Sequence, residues 1–176
     1  MKIYKAIRLS LSEAAIFDSN EKSIAHISWP KAALWKTKNA PLSDALGDQW
    51  QSHPTIEVGE MKWAAYRKLL TNNFLANDYE ISLGDENGEV RILAELKGSK
   101  RKIFIHFEGE EYHLIREGFL SFHFRLQKGS TSLFQMRDVT PFFTFSSRRE
   151  FEVSSEKVLD PTLLSFSFFL AHNSSY

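Results

Sequence analysis

The chain contains no cysteine. It therefore cannot form a disulfide, a thiolate metal site or a cysteine nucleophile. A chain without disulfides is typical of reducing compartments, and this favours a cytoplasmic location.

Long apolar runs and an excess of one charge are also missing. No stretch approaches the roughly eighteen apolar residues of a transmembrane helix, and the first residues, 1–8, lack the apolar core of a signal peptide. The 22 basic residues equal the 22 acidic residues in number, which argues against bulk nucleic acid as a partner. We expect a soluble cytoplasmic protein with no transmembrane segment and no nucleic-acid partner.

The sequence lacks the common catalytic and cofactor motifs. The glycine-containing segment 84–88 has no Gly-Lys-Ser/Thr and precedes a strand, so it is a turn and not a phosphate loop. There is no Gly-x-Ser-x-Gly elbow and no Asp-x-Asp-x-Asp calcium loop. The acidic residues at 108–111 with His113 resemble a cupin strand only superficially, because no His-x-His occurs. We predict no catalytic residue and no cofactor.

Large aromatic residues are what the chain has in abundance. Its 176 residues include 15 Phe and 4 Trp. That length suffices for one domain to bury more than half of its unfolded surface, and no break in composition divides the chain. We expect a single domain, 1–176, with a bulky aromatic core.

An apolar segment at 160–173 dominates the end of the chain. Asp160 is a good N-cap, Pro161 suits the first helical turn, and Asn173 can end a helix in a left-handed conformation. A helix of about twelve residues runs only about 18 Å, so it is too short to span a membrane and must be buried by protein. Apolar residues alternating with Ser165 and Ser167 would also fit a strand, but the Asp-Pro start favours the helix.

Alternating apolar and polar residues predict a series of hairpins in the second half of the chain. With Asn87-Gly88 as a type I′ turn, Leu83 faces Ile92 and Ile81 faces Ala94. Further strands are predicted at 102–108, 111–116, 120–127 and 133–139, with one or two more within 143–153.

The first half of the chain has a less regular pattern. Strand-forming stretches at 3–11 and 22–29 flank a turn at 18–21 and indicate a hairpin. Segment 36–54 is polar and rich in turn residues, which predicts a long loop. Segment 60–70 contains strong helix formers, and we predict a helix there although its aromatic residues also suit a strand. The four tryptophans are interpreted as core or loop-anchoring residues.

A long meander usually closes to remove its edges, so we predict a mainly β fold, a closed antiparallel β-barrel around the buried hydrophobic C-terminal helix. The hairpins, the Asn-Gly turn and the final helix after Val158-Leu159-Asp160-Pro161 resemble the tubby C-terminal, LURP-one and phospholipid-scramblase superfamily. The resemblance implies this same architecture. It also implies a lipid connection, because tubby domains bind phosphoinositides through exposed basic residues. No functional residue of that family aligns with a position of this chain.

Charge is predicted to separate between the two ends of the barrel. Acidic residues at 85–89 and 108–111 would lie at one end. Basic residues would lie at the other end, namely Lys97, Lys100, Arg101, Lys102 and Arg116, with Arg137 nearby. Such a cluster beside Gly98 and Ser99 could bind an anionic lipid headgroup or another phosphorylated ligand. The alternative is a solvated loop whose charges keep the sheet end soluble.

The predicted strand register also suggests a row of histidines. A turn at Gly109-Glu110 would place His106 opposite His113, and pairing Leu114 with Phe122 would place His113 opposite His123. Neighbouring imidazoles could then share a metal ion, although three in a straight row converge poorly on one ion. An outward polar row without metal is the alternative.

Two function classes follow from these candidate sites. The first is a non-enzymatic binding or scaffold module that recognises an anionic or phosphorylated ligand, such as a phosphoinositide headgroup. The second is a metal-dependent enzyme built on His106, His113 and His123. A carrier of apolar ligands is disfavoured, because the helix would occupy the cavity that a carrier needs.

Overall fold

The computed structural model describes residues 1–10, 12–29, 53–72, 77–85, 89–97, 102–118, 122–140 and 149–174. Within these ranges the chain forms twelve strands followed by one helix. The strands are β1 Lys2–Arg8, β2 Glu13–Phe17, β3 Ser23–Ser28, β4 Thr55–Val58, β5 Met61–Asn72, β6 Asn77–Gly84, β7 Val90–Leu96, β8 Lys102–Phe107, β9 Glu110–Arg116, β10 His123–Lys128, β11 Thr131–Asp138 and β12 Arg149–Ser155. The helix is α1, Pro161–Ser174.

The strands form a closed barrel in which each pairs with its neighbours in sequence. Every ladder is antiparallel, and β1 closes the ring on β12 with Lys2 opposite Ser155 and Arg8 opposite Arg149. Closure leaves the described strands without an open sheet edge, and this is the physical reason that a long meander curls. The predicted fold class, a mainly β barrel with a buried C-terminal helix, is confirmed.

The helix begins as predicted. Asp160 caps it, because its Oδ1 accepts hydrogen bonds from the backbone N–H groups of Thr162 and Leu163 at 2.8 and 3.0 Å. Ser165 donates to the carbonyl of Pro161 one turn earlier, so the serine that suited a strand is instead compatible with the helix. The strand alternative is wrong. Asn173 does not end the helix in a left-handed conformation; it lies in the last turn and donates to the Phe169 carbonyl at 2.8 Å.

The helix occupies the centre of the barrel. Every side chain from Thr162 to His172 is at most 7% exposed, which requires protein on all sides. Phe168 contacts the ring of Phe151 edge-on, with centroids 5.2 Å apart, and Trp29 stacks on Phe169 at 6.1 Å. The helix is therefore the core against which the inward faces of the strands pack.

The strand registers agree only in part with the sequence prediction. Leu83 pairs with Ile92 and Ile81 with Ala94, as predicted, whereas Asn87 and Gly88 lie outside the described residues. In the next hairpin the turn falls one residue earlier than predicted, at Glu108 and Gly109, both of which have positive φ angles of 52° and 77°. This shift changes every partner across β8 and β9.

Other predictions in the first half of the chain require correction. The predicted helix at 60–70 is wrong, because this segment lies in β5, which pairs with β4 and β6. The turn at Asp18 joins β2 to β3, while β1 precedes them and pairs with β2, so one predicted hairpin becomes three strands. Most of the predicted loop 36–54, including Trp50, lies outside the described residues, as does Trp35. Trp29 and Trp63 pack against the core.

Candidate anion-binding faces of the barrel

The meander assigns each connection to one of two barrel ends. We call the end that holds the β2–β3, β4–β5, β6–β7, β8–β9 and β10–β11 connections the helix-start end, because Leu159 lies there and donates its N–H to the Tyr4 hydroxyl at 3.2 Å. The opposite end is the helix-stop end, where Trp29 contacts His172 at 5.1 Å. Each side chain of a strand is therefore described by two properties: whether it faces into or out of the barrel, and which of the two barrel ends it is near.

The topology separates the charged connections between these ends. Asp85, Glu89, Glu108 and Glu110 lie at the helix-start end. Two of these acids have basic partners, since Arg91 contacts Glu108 at 2.6 Å and Lys128 contacts Glu110 at 3.0 Å. Local ion pairs thus weaken the separation of charge that the sequence predicts.

Two of the predicted basic residues meet on the outer face of the barrel at the helix-stop end. The ammonium groups of Lys97 and Lys102 lie 5.8 and 4.9 Å from the centroid of the Phe104 ring. Phe104 is half-buried and belongs to β8, which pairs with strands on both sides, so the sheet positions the ring near both lysines. We call this trio the lysine face.

The other predicted basic residues are distributed differently. Arg116 is the second residue after the buried Leu114 on β9, so alternation places it on the inward face of the sheet. Lys102 lies on the outward face. Arg137 pairs with Glu152 on the outer face at 2.7 Å. Lys100 and Arg101, with Gly98 and Ser99, lie outside the described residues. The predicted cluster therefore includes residues of two faces.

Carboxylates accompany the lysine face. Glu95 forms an ion pair with Lys97, and this hydrogen bond and charge raise the pKa of Lys97. On the other side of Phe104, Glu111 accepts a hydrogen bond from His113 at 2.7 Å, which lowers the pKa of Glu111. On the neighbouring strands β7, β8 and β9, two lysines thus lie beside two glutamates, so these four charges balance.

The predicted histidine row does not form. His106 pairs with Glu111 and Leu93, His113 pairs with Phe104 and Gln127, and His123 pairs with Arg137. The registers predicted from the sequence are wrong, because the β8–β9 turn begins at Glu108 and because Leu114 pairs with Leu126, not with Phe122. Within the described residues no three His, Cys, Asp or Glu side chains are placed to hold one metal ion.

Each of these histidines instead lies near its own carboxylate. The Nε2 atoms lie 3.8 Å from Glu95 for His106, 2.7 Å from Glu111 for His113 and 3.3 Å from Glu117 for His123. Glu117 also forms an ion pair with Arg125, with 3.0 Å between the nitrogen and the oxygen. These separate pairs correspond to the outward polar alternative that the sequence left open.

A titratable pair near the β4–β5 strands was not predicted. The rings of His53 and Tyr66 lie 4.9 Å apart. Burial lowers the pKa of His53, whereas burial and the charge of Asp85 raise the pKa of Tyr66. The sequence signal was weak, because His53 precedes a proline at the end of a long polar segment and has no recognisable spacing to Tyr66.

Phe104 is the functional candidate that sequence reasoning missed. No predicted site included it, because an isolated outward phenylalanine carries no signal of its own. The available signal was the run of basic residues at 100–102 that precedes it in sequence.

Comparison with known proteins gives no assignment. No family model, curated protein or solved structure matches the chain. In the part of the chain that the structure describes, the helix is too short to be a candidate membrane span.

Proposed function

We propose that the chain is a non-enzymatic binding module for an anionic or phosphorylated ligand, with a phosphoinositide headgroup as its most specific form. The observation that carries this proposal is the lysine face, where two ammonium groups lie 5.8 and 4.9 Å from the centroid of one aromatic ring. Lysine is a common phosphate ligand that acts as a point charge. Lys100 and Arg101 belong to the same connection by sequence and are included in the proposed site, whereas Arg116 lies at the same end of the barrel but on its inward face.

The filled interior supports a ligand that binds outside the barrel. A carrier of apolar molecules needs an internal cavity, and the helix is buried among the inward side chains on every side. Loops, the ends of the barrel and the outer sheet are therefore the places where a ligand can meet the described residues.

The carboxylates at the lysine face restrict the ligand. A monovalent anion would have to compete with Glu95 for Lys97 and would gain little from a face with nearly balanced charge. A ligand with several phosphate groups, such as a phosphorylated inositol, would gain more, because it can contact Lys97 and Lys102 at the same time and so offset the repulsion from the carboxylates. The proposed ligand is therefore multivalent, and its binding should weaken with salt.

We also propose that the chain belongs to the tubby C-terminal, LURP-one and phospholipid-scramblase superfamily. Support comes from the meander of hairpins closed around a buried C-terminal helix that starts at Asp160-Pro161. Phosphoinositide recognition would then agree with the lipid connection of that superfamily.

The test is sedimentation with liposomes that contain or lack a phosphoinositide. The double variant Lys97→Ala/Lys102→Ala should bind about thirty-fold more weakly, since a basic residue near an anionic membrane contributes about 1 kcal/mol. Glu95→Gln should bind more tightly than the unmodified protein, because it removes the competing carboxylate from Lys97.

The matched control is Lys62→Ala/Lys128→Ala at the helix-start end. Lys62 is 58% exposed and paired with Glu57, much as Lys97 is 56% exposed and paired with Glu95. The proposal fails if the two double variants lose binding equally, or if neither loses it.

A further inference from the structure

An arginine pair lies where the barrel closes. Arg8 is the last residue of β1, Arg149 is the first residue of β12, and the two are direct partners in the β1–β12 ladder. Directly opposite residues in an antiparallel pair have Cβ atoms about 4.5–5.5 Å apart, and like charges in such positions repel. The fold therefore places the Cβ atoms of two arginines close together at the helix-stop end.

Both arginines occupy inward-facing positions. Arg8 is two residues beyond the buried Ala6, and Arg149 is two residues before the buried Phe151. On the outward positions of these strands and of β11, cations have carboxylate partners: Lys5 contacts Glu150 at 2.8 Å, and Arg137 contacts Glu152 at 2.7 Å. The outward face of the closure thus supplies a carboxylate to each of these two cations.

One inward acid of β11 completes this group. Asp138 lies two residues beyond the buried Met136, and its Oδ2 accepts a hydrogen bond from the guanidinium group of Arg149 at 3.3 Å. Its Oδ1 accepts the backbone N–H of Thr140 at 2.8 Å, so the carboxylate is fixed in place. Arg8 donates from Nε to the Ser10 carbonyl at 3.0 Å, which orients its guanidinium group. We call Arg8, Arg149 and Asp138 the arginine corner.

Aromatic side chains lie behind the arginine corner. Phe151 is the ladder partner of both Ala6 and Asp138, and Phe122 contacts it with centroids 4.5 Å apart. An apolar floor lowers the local dielectric, which strengthens repulsion between the arginines and also strengthens attraction to an anion placed between them. The side chain of Arg149 is 51% exposed, so a ligand in solution can reach it.

We propose that the arginine corner binds an oxyanion of the phosphate class, either free phosphate or a phosphate monoester, between the guanidinium groups of Arg8 and Arg149. Guanidinium groups bind such oxyanions through parallel N–H···O hydrogen bonds, a geometry that lysine cannot provide. The site is independent of the lysine face, because β1 and β12 lie across the ring from β7 and β8.

Thermal unfolding in increasing inorganic phosphate tests the proposal, with ionic strength held constant by sodium chloride. Phosphate at ten times its dissociation constant should raise the melting temperature by roughly 3–6 °C. Arg8→Gln and Arg149→Gln should each abolish this rise. The matched control is Arg137→Gln, which removes an outward, ion-paired arginine of β11 and should retain it.

A second measurement covers variants that fold poorly. Arg149→Lys keeps the charge but loses the planar group, and phosphate titrated by phosphorus NMR should bind it at least tenfold more weakly than the unmodified protein. The proposal is overturned if the unmodified protein shows no phosphate-dependent rise, or if Arg8→Gln, Arg149→Gln and Arg149→Lys respond to phosphate as it does.

Phosphoinositide liposomes distinguish the source of the phosphate. Loss of liposome binding in Arg8→Gln, with the phosphate response also lost, assigns the corner to a lipid headgroup. Loss of the phosphate response alone assigns it to a soluble phosphate. Either result supports the corner, and neither depends on Lys97→Ala/Lys102→Ala, whose behaviour tests the lysine face separately.

Discussion

Replacing Phe168 by aspartate should prevent the domain from folding. Phe168 lies near the middle of α1 and has no exposed surface. Its ring contacts Phe151 at 5.2 Å and Phe122 at 6.3 Å, and both belong to the aromatic cluster around the helix. The substitution removes these contacts and also puts a carboxylate where no water can reach.

The two costs can be estimated separately. Truncation of a buried phenylalanine to alanine costs about 3–5 kcal/mol. A carboxylate without a partner in an apolar interior adds several kcal/mol more, whether it stays charged or is neutralised by a raised pKa. Domains are stable by only about 5–15 kcal/mol, so the sum is comparable with the entire free energy of unfolding.

A graded series separates the contributions. Phe168→Leu should stay folded, and Phe168→Ala should melt roughly 6–20 °C below the unmodified protein. Phe168→Asp should show no cooperative transition in thermal unfolding followed by near-ultraviolet circular dichroism. A soluble Phe168→Asp variant that melts cooperatively within a few degrees of the unmodified protein would show that the helix is peripheral to the core.

Three further predictions concern turns, caps and pH. Gly109→Ala should lower the free energy of unfolding by about 1–2 kcal/mol in urea titrations, because Gly109 has a φ of +77° and an added Cβ meets no atom within 4 Å, so the cost is conformational alone. Asp160→Ala should lower it by about 1 kcal/mol, since the first helical turn loses two hydrogen bonds, and Asp160→Asn should recover most of the loss. Burial lowers the pKa of His53, so the unfolded chain takes up a proton more readily; stability should fall as pH drops below 6.5, and unfolding curves of His53→Gln should show less of this dependence.

Each of these predictions has an opposing result. An unchanged urea midpoint for Gly109→Ala would mean that the β8–β9 turn adopts another conformation. Equal stability of Asp160→Ala and the unmodified protein would contradict the N-cap. If stability rose as pH fell below 6.5, the sign of the His53 effect would be wrong.

The architecture could be predicted because its signals are redundant. Alternation on several consecutive strands identifies one apolar face for each, and only an apolar partner can cover those faces together. Asp160 and Pro161 then identify the partner as a helix, since capping is a local property that tertiary contacts need not supply. The apolar face of each strand is inferred from many residues, so it does not depend on the position of any single one.

The contacts between the candidate site residues could not be predicted, because they depend on the register of the strands. A shift of one residue in the β8–β9 turn moved His113 from the position opposite His106 to the position opposite Phe104. The shift arises from Glu108, which takes a positive φ that its side chain does not favour, and no sequence rule selects it. The strand at Met61–Asn72 was missed for a related reason: its alanines and lysines favour a helix, and pairing with two neighbouring strands overrides that preference.

The arginine corner was missed because its members are distant in sequence. Arg8 and Arg149 become neighbours only when β1 closes on β12. Strand alternation assigns each to an inward face, but the partner of the first strand cannot be read from the sequence of either. Sites built at a closure therefore need the fold before they can be recognised.

The position of α1 after all twelve described strands has a consequence for how the chain folds. During synthesis the inward faces of the strands emerge before the helix that covers them, and β1 must wait for β12, whose Ser155 pairs with Lys2. Such long-range pairing is slow, on the order of milliseconds to seconds, and partly folded sheets with uncovered apolar faces tend to aggregate. We expect ring closure and helix insertion to occur as one late cooperative step, so the arrival of α1 determines when the apolar faces of the strands are covered and association with other copies is prevented.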